Sequence, residues 1–133
     1  MQDLAVLVVD DTANIKELLA SALKDSGCRV FMADGGNDGF SVLSREKVDL
    51  LITDLRMENG TGIELIRRIR RMKRAGEPVP EIVVYTGLCS KDGESYLKSL
   101  GASEVWLKET SPGQFIATLM KQRRSPEDGS KES

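Results

Sequence analysis

Five polar or charged residues stand directly after or at the end of short apolar stretches, where they could act together on one ligand. Two are the neighbouring acids Asp10 and Asp11, and a third acid, Asp54, follows another stretch. Thr86 and Lys108 follow two further stretches. In an open parallel sheet, ligands bind beyond the carboxyl ends of the strands. We therefore expect three carboxylates, one hydroxyl group and one ammonium group to converge at one edge of a sheet.

This set of groups suits phosphoryl chemistry that uses a divalent cation. Carboxylates that lie close together repel one another and favour a bound cation, and hard oxygen ligands suit Mg²⁺. A carboxylate beside such an ion can attack phosphorus and form an aspartyl-phosphate. An ammonium group and a hydroxyl group can then stabilise the charge on the phosphoryl oxygens. The chain contains no histidine, and this chemistry needs none.

Each of these residues also has an ordinary structural interpretation. Asp10 or Asp11 by itself is favoured as a helix cap, and Asp54 alone is an acid that begins a loop. Thr86 is then a strand-end residue and Lys108 a solvated surface lysine. The structural interpretation is better for any single residue, whereas the placement of all five at the ends of four strands favours a shared site.

Five short apolar runs predict strands, and the first, third and fourth of these are predicted to be buried on both faces. They are residues 4–9, 30–33, 50–53, 82–85 and 105–107. Apolar residues with helical spacing follow each run, and Pro112 suits the first turn of the last helix. This alternation predicts an α/β domain with a five-stranded parallel sheet and helices on both faces. Residues 35–39 are predicted as a turn before a helix and residues 59–62 as a loop.

The amino-acid composition excludes several classes of function. The chain has 133 residues and 19 Lys and Arg residues against 21 Asp and Glu residues, so its net charge is −2. This balance excludes a globally basic nucleic-acid binder, and the lack of histidine excludes Ser-His-Asp machinery and histidine metal sites. No apolar run approaches the ~20 residues that cross a bilayer, and the N-terminus has no signal-peptide pattern. We expect a cytoplasmic protein.

The end of the chain differs in composition from the rest. Residues 1–122 carry the alternating pattern and are assigned to one domain. Residues 123–133 include no large apolar side chain. A segment of this kind cannot bury enough surface to fold by itself, so we expect a disordered tail or the start of a linker.

Four segments resemble the receiver domain of bacterial two-component response regulators. They are residues 7–11, 51–57, 83–87 and 101–108. Each motif alone is weak, but the set in this order is highly specific, and the resemblance extends over residues 3–122. It implies the doubly wound, flavodoxin-like receiver fold with five helices and the strand order 2-1-3-4-5.

The resemblance implies roles for the residues at the strand ends. Asp54 accepts a phosphoryl group from the phosphohistidine of a sensor histidine kinase or a phosphotransfer protein. Lys108 pairs with this phosphoryl group, and Thr86 hydrogen-bonds to it. The implied Mg²⁺ ligands are Asp10, Asp11, Asp54 and the backbone carbonyl of Arg56. Such a protein is a phosphorylated signalling switch and not an enzyme, since it catalyses only its own phosphoryl transfer and dephosphorylation.

The resemblance also bears on partners. It implies a downstream protein or a fused output domain that responds to the surface of the fourth helix, fifth strand and fifth helix, and it is compatible with a homodimer through that surface. The sequence identifies neither the kinase nor the output partner. The basic segment 67–74 is predicted as a solvated helix face and not as a nucleic-acid site, because it has no interleaved aromatic residue. No membrane contact is expected.

Some positions depart from the usual receiver pattern, and others bear on the lifetime of the phosphorylated state. Val105 stands where the family has an aromatic residue, and the neighbouring Trp106 is predicted to point to the opposite face of the strand. Glu109 replaces the proline after the lysine, so no cis peptide bond is expected there. Arg56 and Leu88 occupy positions that tune dephosphorylation in the family. We expect an altered lifetime of the phosphorylated state.

Three other functions are compatible with parts of the pattern. A binding module regulated without phosphorylation is kept open by Val105 and Glu109, although the complete set of five residues argues against it. A phosphohydrolase usually has a second acid two residues after its nucleophile, and here Arg56 follows Asp54 at that spacing. A flavin carrier would need a hydroxyl- and glycine-rich phosphate loop after the first strand, where this chain has two acids.

Overall fold

The computed structural model describes residues 4–57 and 59–123, which form one parallel sheet between two layers of helices. The strands are β1 (Ala5–Val9), β2 (Arg29–Ala33), β3 (Leu50–Thr53), β4 (Glu81–Thr86) and β5 (Ala102–Leu107). The helices are α1 (Ala13–Asp25), α2 (Gly36–Arg45), α3 (Gly62–Arg74), α4 (Lys91–Leu100) and α5 (Pro112–Gln122). The strand order is β2-β1-β3-β4-β5. The predicted doubly wound fold with five helices is confirmed.

The central strands are buried on both faces, as their continuous apolar runs predict. Every residue of β1 is buried, and its side chains alternate between the two faces of the sheet. Leu7 and Val9 belong to the core beneath α2, α3 and α4. Val6 and Val8 belong to the core beneath α1 and α5. Because both faces are covered, polar side chains at the strand ends are left at the edge between the layers.

The fifth strand is longer than its apolar run predicts. It begins at Ala102 and not at Val105, because Ser103 and Glu104 are polar and give no apolar signal. The pairing of β5 with β4 has an irregularity between Ile82 and Val83, and the Ser103 hydroxyl donates to the Ile82 carbonyl at 3.0 Å. A bulge of this kind re-aims side chains without ending the strand.

The glycine-rich segment 35–39 is not a turn before a helix, because α2 already begins at Gly36. The sequence prediction fails because glycine has a low intrinsic helix propensity. The Gly36 N–H donates to the Gly60 carbonyl at 2.9 Å, and a Cβ atom on Gly36 would lie 2.8 Å from the Thr61 carbonyl oxygen. Glycine is therefore required for this close backbone approach, which tertiary packing imposes.

The basic residues of α3 are only partly a solvated face. Arg67 stacks over the Tyr96 ring and donates to its hydroxyl, and Arg68 lies 4.9 Å from the centroid of the Phe40 ring. Arg70 donates to the Ser99 carbonyl at 2.8 Å. These arginines attach α3 to its neighbours α2 and α4, a role that their long apolar stems and planar heads allow.

Two further predictions concern membrane-spanning helices and the end of the chain. Within the described ranges, no helix is both long and apolar enough to cross a bilayer. Of the predicted tail, Arg123 is described and pairs with Glu81 and Glu104. Residues 124–133 lie outside the described residues.

Candidate functional site

The site residues are placed by the sheet itself, because each lies where a parallel strand ends. The Asp54 N–H donates to the Val9 carbonyl at 3.0 Å, and the Lys108 N–H donates to the Thr86 carbonyl at 2.8 Å. These bonds continue the strand ladders by one residue. The backbone positions of Asp54 and Lys108 are therefore set by the neighbouring strands. Thr86 is buried as the last residue of β4.

Three carboxylates form the centre of the site. Asp10, Asp11 and Asp54 each present an oxygen within 4.8 Å of the others. Asp10 is 1% exposed and Asp54 is 8% exposed, whereas Asp11 lies at the surface. Carboxylates at this separation raise each other's electrostatic free energy, the more so where burial excludes water. The cluster therefore attracts positive charge.

Lys108 supplies part of that charge. Its Nζ atom lies 2.9 Å from Asp10 Oδ2 and 2.9 Å from Asp54 Oδ2. Burial lowers the pKa of Lys108, but contact with and attraction to the two carboxylates outweigh burial and raise the pKa above its ordinary value. The side chain is therefore a fixed ammonium ion between the two buried acids.

The partners of the remaining carboxylate oxygens show that the negative charge of the site is only partly neutralised. Asp10 Oδ1 accepts from the Thr12 N–H at 2.8 Å, and Asp54 Oδ1 accepts from the Leu55 N–H at 2.7 Å. Asp10 Oδ2 is buried and, beyond its ion-pair contact with Lys108, has no hydrogen-bond partner among the described residues. A carboxylate oxygen with this one contact still has a lone pair that can accept a further donor or cation. The donor set and this oxygen fit a divalent cation with oxygen ligands.

The unusual positions lie around this centre. Arg56 and Leu88 are exposed beside the site, and Leu88 is 76% exposed. Val105 packs with the core beneath α2, α3 and α4, whereas Trp106 packs with the core beneath α1 and α5. The prediction that the two side chains point to opposite faces is confirmed. No peptide bond in the described part of the chain is cis, which includes the bond between Lys108 and Glu109.

One residue near the site is not singled out by sequence reasoning. Tyr85 is a buried residue of β4, and its hydroxyl donates to the Thr110 carbonyl at 2.7 Å. Its position inside a run of aliphatic residues makes it look like core. The only signal in the sequence is that a hydroxyl group in a buried strand must find a partner.

Comparison with known proteins decides the family. The response regulator receiver domain family matches residues 6–120. The chain belongs to this family. Receiver domains are signalling domains of two-component systems and not enzymes of the ordinary kind, and this receiver domain carries the acidic cluster at the expected edge of the sheet.

Relatives of similar length and of greater length are both found. The receiver domain is 34% identical over 119 residues to the uncharacterized 14.6 kDa protein in the sodA1 3'region of Leptolyngbya boryana, covering 87% of this chain and 89% of that one. It is 39% identical over 114 residues to the KDP operon transcriptional regulatory protein KdpE of Escherichia coli (strain K12), covering 86% of this chain and 48% of KdpE. The chain thus spans about half the length of that regulator. The sensor histidine kinase RcsC of Escherichia coli (strain K12) is also among the relatives, and the match covers 10% of its length.

A solved structure supports the same assignment. The receiver domain superposes on a response regulator receiver protein from Pseudomonas putida with a TM-score of 0.78 and 34% sequence identity. The superposition covers 91% of this chain and 98% of that chain.

Proposed function

We propose that this receiver domain is a phosphoacceptor switch in which Asp54 takes a phosphoryl group from the phosphohistidine of a sensor histidine kinase or a phosphotransfer protein. The observation that carries the proposal is the position of Asp54. Its carboxylate lies at the carboxyl edge of the sheet, within 2.9 Å of the Lys108 ammonium and clustered with two further acids. The same proposal puts the receiver domain in the cytoplasm together with its phosphoryl donor.

The reaction follows from these groups. A carboxylate oxygen of Asp54 attacks the phosphorus atom of the donor, and a new P–O bond forms as the P–N bond to the imidazole breaks. The imidazole, protonated on its other ring nitrogen, leaves with the electron pair of that bond and is released as neutral histidine. Lys108 neutralises charge on the phosphoryl oxygens, and the Thr86 hydroxyl, at the end of β4, is assigned the hydrogen bond to one of them. Phosphorylation therefore changes the contacts of Lys108.

The acidic cluster is the proposed Mg²⁺ site. Asp10, Asp11 and Asp54 would hold the ion together with the backbone carbonyl of Arg56. When bound, Mg²⁺ supplies positive charge that stabilises the transferring phosphoryl group. The grouping of three carboxylate oxygens within 4.8 Å of one another supports this assignment, as does Asp10 Oδ2, which among the described residues has the Lys108 ammonium as its partner and no further donor.

The deciding experiment is the intact mass of the protein after incubation with acetyl phosphate, with and without Mg²⁺. We expect a gain of one phosphoryl group that requires Mg²⁺ and is lost in Asp54→Asn. Asp25→Asn, at the exposed end of α1, is the matched control and should be phosphorylated normally. A rapid measurement that shows no gain in the wild type would overturn the proposal.

That negative outcome would favour the second candidate, a protein-binding module regulated without phosphorylation. The observation in its favour is Val105, which leaves the α4 side of β5 without the aromatic residue that is usual in the family. Output through a downstream protein, a fused domain or a homodimer is part of the proposal in either case. Ultracentrifugation before and after phosphorylation tests the homodimer.

Arg56 is proposed to set the lifetime of the phosphorylated state. It is exposed two residues after Asp54, and a long cationic side chain there can reach the phosphoryl group and shield it from water. We expect Arg56→Asn to change the rate at which the phosphoryl group is lost. An unchanged rate in a direct mass time course would reject this role.

A further inference from the structure

The Tyr85 side chain connects β4 to the segment that carries Lys108. Tyr85 is 1% exposed, and its ring lies parallel to the Phe115 ring with 4.3 Å between centroids. Its hydroxyl donates to the Thr110 carbonyl at 2.7 Å. Thr110 lies in the short connection between β5 and α5, two residues after Lys108. Tyr85 therefore contacts both this connection and the helix that follows it.

The connection is held at both of its ends by adjacent residues of β4. At its start, the Lys108 N–H donates to the Thr86 carbonyl at 2.8 Å. At its far end, the Thr110 carbonyl accepts from Tyr85. The Thr110 N–H also donates to the Leu107 carbonyl at 3.1 Å, which closes a tight turn around Lys108. The backbone that carries Lys108 is thus anchored to the strand that ends in Thr86.

The Tyr85 hydroxyl has a role that core packing alone does not require. A phenylalanine would fill the same space and keep the stack with Phe115. A buried hydroxyl needs a partner, and its partner among the described residues is the Thr110 carbonyl. Burial raises the pKa of Tyr85 above its ordinary value. The Lys108 charge lowers this pKa and the Asp10 charge raises it, but burial has the largest effect. The hydroxyl therefore stays protonated as a donor at neutral pH.

We propose that Tyr85 is a positioning residue for phosphoryl transfer, which holds the connection between β5 and α5 so that the Lys108 ammonium is directed at the phosphoacceptor. This inference rests on the proposed function. A lysine has a flexible stem with several rotatable bonds, so the direction of its ammonium depends on where its backbone is fixed. Catalysis by charge depends steeply on such placement.

The test is Tyr85→Phe, with Tyr96→Phe as the matched control. The chain has two tyrosines, and Tyr96 lies partly exposed on α4 with its hydroxyl on Arg67. For Tyr85→Phe we expect phosphoryl uptake from acetyl phosphate to slow by about tenfold, and affinity for beryllofluoride, a phosphoryl analogue, to fall by a similar factor. Tyr96→Phe should behave as the wild type.

A second measurement separates positioning from general loosening of the fold. Lys108 contacts Asp10 and Asp54 and so competes with a cation for them. A loosened ammonium should not weaken cation binding, so calorimetry should show a Mg²⁺ affinity in Tyr85→Phe that is no lower than in the wild type. If Mg²⁺ and beryllofluoride affinities fall together, Tyr85 acts only through stability and the positioning role is rejected. If neither the beryllofluoride affinity nor the uptake rate changes, it is also rejected.

The inference can be decided even if the protein accepts no phosphoryl group. Side-chain NMR relaxation reports the order of the Lys108 methylene groups in the unmodified protein. We expect lower order at Lys108 in Tyr85→Phe than in the wild type or in Tyr96→Phe. Unchanged order would overturn the positioning role of Tyr85. Failure of uptake in the wild type would overturn the proposed function, and the NMR result would still stand.

Discussion

Two clusters of charged side chains in this receiver domain share one plan, in which a single cation contacts two carboxylates from neighbouring strands. The lysine cluster consists of Lys108, Asp10, Asp54 and the adjacent Asp11. The arginine cluster consists of Arg123, Glu81 and Glu104. The lysine cluster lies at the carboxyl ends of the strands. The arginine cluster lies toward the amino-terminal side of β4 and β5, where α5 ends.

The two clusters differ in how completely their oxygens are paired. Glu81 Oε2 also accepts from the Ser103 hydroxyl at 2.7 Å, and Glu104 Oε1 accepts from the Trp106 indole at 2.8 Å. In the lysine cluster, by contrast, the buried Asp10 Oδ2 contacts the Lys108 ammonium at 2.9 Å and accepts no further hydrogen bond from the described residues. Lys108 contacts two carboxylates that are almost fully buried, whereas Arg123 contacts two that are partly exposed.

This difference separates a structural cluster from a functional one. In the arginine cluster, each acid accepts a hydrogen bond from a further donor, and its side chain is partly exposed to solvent. The lysine cluster holds excess negative charge in a buried place, which lowers stability unless another cation arrives. Burial of the carboxylates that carry the excess negative charge, and not the presence of an ion pair, distinguishes the site that favours a further cation.

The largest expected effect comes from removing each cation in turn. Lys108→Met leaves buried carboxylates without their cation, and we expect a loss of about 3 kcal/mol in the free energy of unfolding at pH 7 without Mg²⁺. Arg123→Met should cost about 1 kcal/mol or less, because Glu81 has a side chain that is 38% exposed and water can replace the arginine. Urea unfolding in the presence of a chelator measures both. Equal losses would contradict the distinction between the clusters.

The next effect is stabilisation by Mg²⁺. At a free concentration ten times the dissociation constant, a single site raises the free energy of unfolding by about 1.4 kcal/mol. We expect this gain in the wild type and in Arg123→Met, and its removal by chelation. The double variant Asp10→Asn with Asp11→Asn should lose the gain. If the double variant is stabilised as much as the wild type, the ion binds elsewhere.

A smaller effect is expected at the residue that attaches the Lys108 segment to β4. Tyr85→Phe removes one buried hydrogen bond to the Thr110 carbonyl and keeps the ring stack, which should lower the free energy of unfolding by about 1 kcal/mol. Tyr96→Phe, at a partly exposed position, should change it by less. Thermal unfolding followed by circular dichroism compares the two. A larger loss in Tyr96→Phe would contradict the assignment of this bond.

The smallest expected effect is the pH dependence of the stability that the arginine cluster contributes. Burial raises the pKa of Glu81, but hydrogen bonds from Arg123 and Ser103 and the charge of Arg123 outweigh burial and hold it below the ordinary 4.5. The folded state therefore favours the ionised carboxylate. Its contribution is present above pH 4.5 and is lost as pH falls through the lowered value.

The corresponding measurement compares the wild type with Glu81→Gln at pH 7 and at pH 3. We expect a difference in the free energy of unfolding below about 1 kcal/mol at pH 7, since the group is partly exposed, and a smaller difference at pH 3. Glu17→Gln on the exposed side of α1 is the control. A difference that grows as the pH falls would mean that the sign of the pKa shift is wrong.

Much of the fold was predictable because its signals are local. Residues 50–53 are predicted as a strand from a continuous apolar run, and β3 has those bounds. The start of β5 and the start of α2 were not predictable in this way. Ser103 and Gly36 carry the wrong local preferences for a strand and a helix, and each is accommodated by a contact with a segment distant in the chain.

The sequence by itself determined which side chains end the strands, because the continuous apolar runs stop at those residues. The parallel direction of all five strands then brings these ends to one edge of the sheet. Only the tertiary structure decided which of their atoms are paired. That Asp10 Oδ2 contacts the Lys108 ammonium, and that the Tyr85 hydroxyl contacts the Thr110 carbonyl, depends on distances between segments far apart in the chain. Residue type sets what a group can donate or accept, whereas packing sets what it meets.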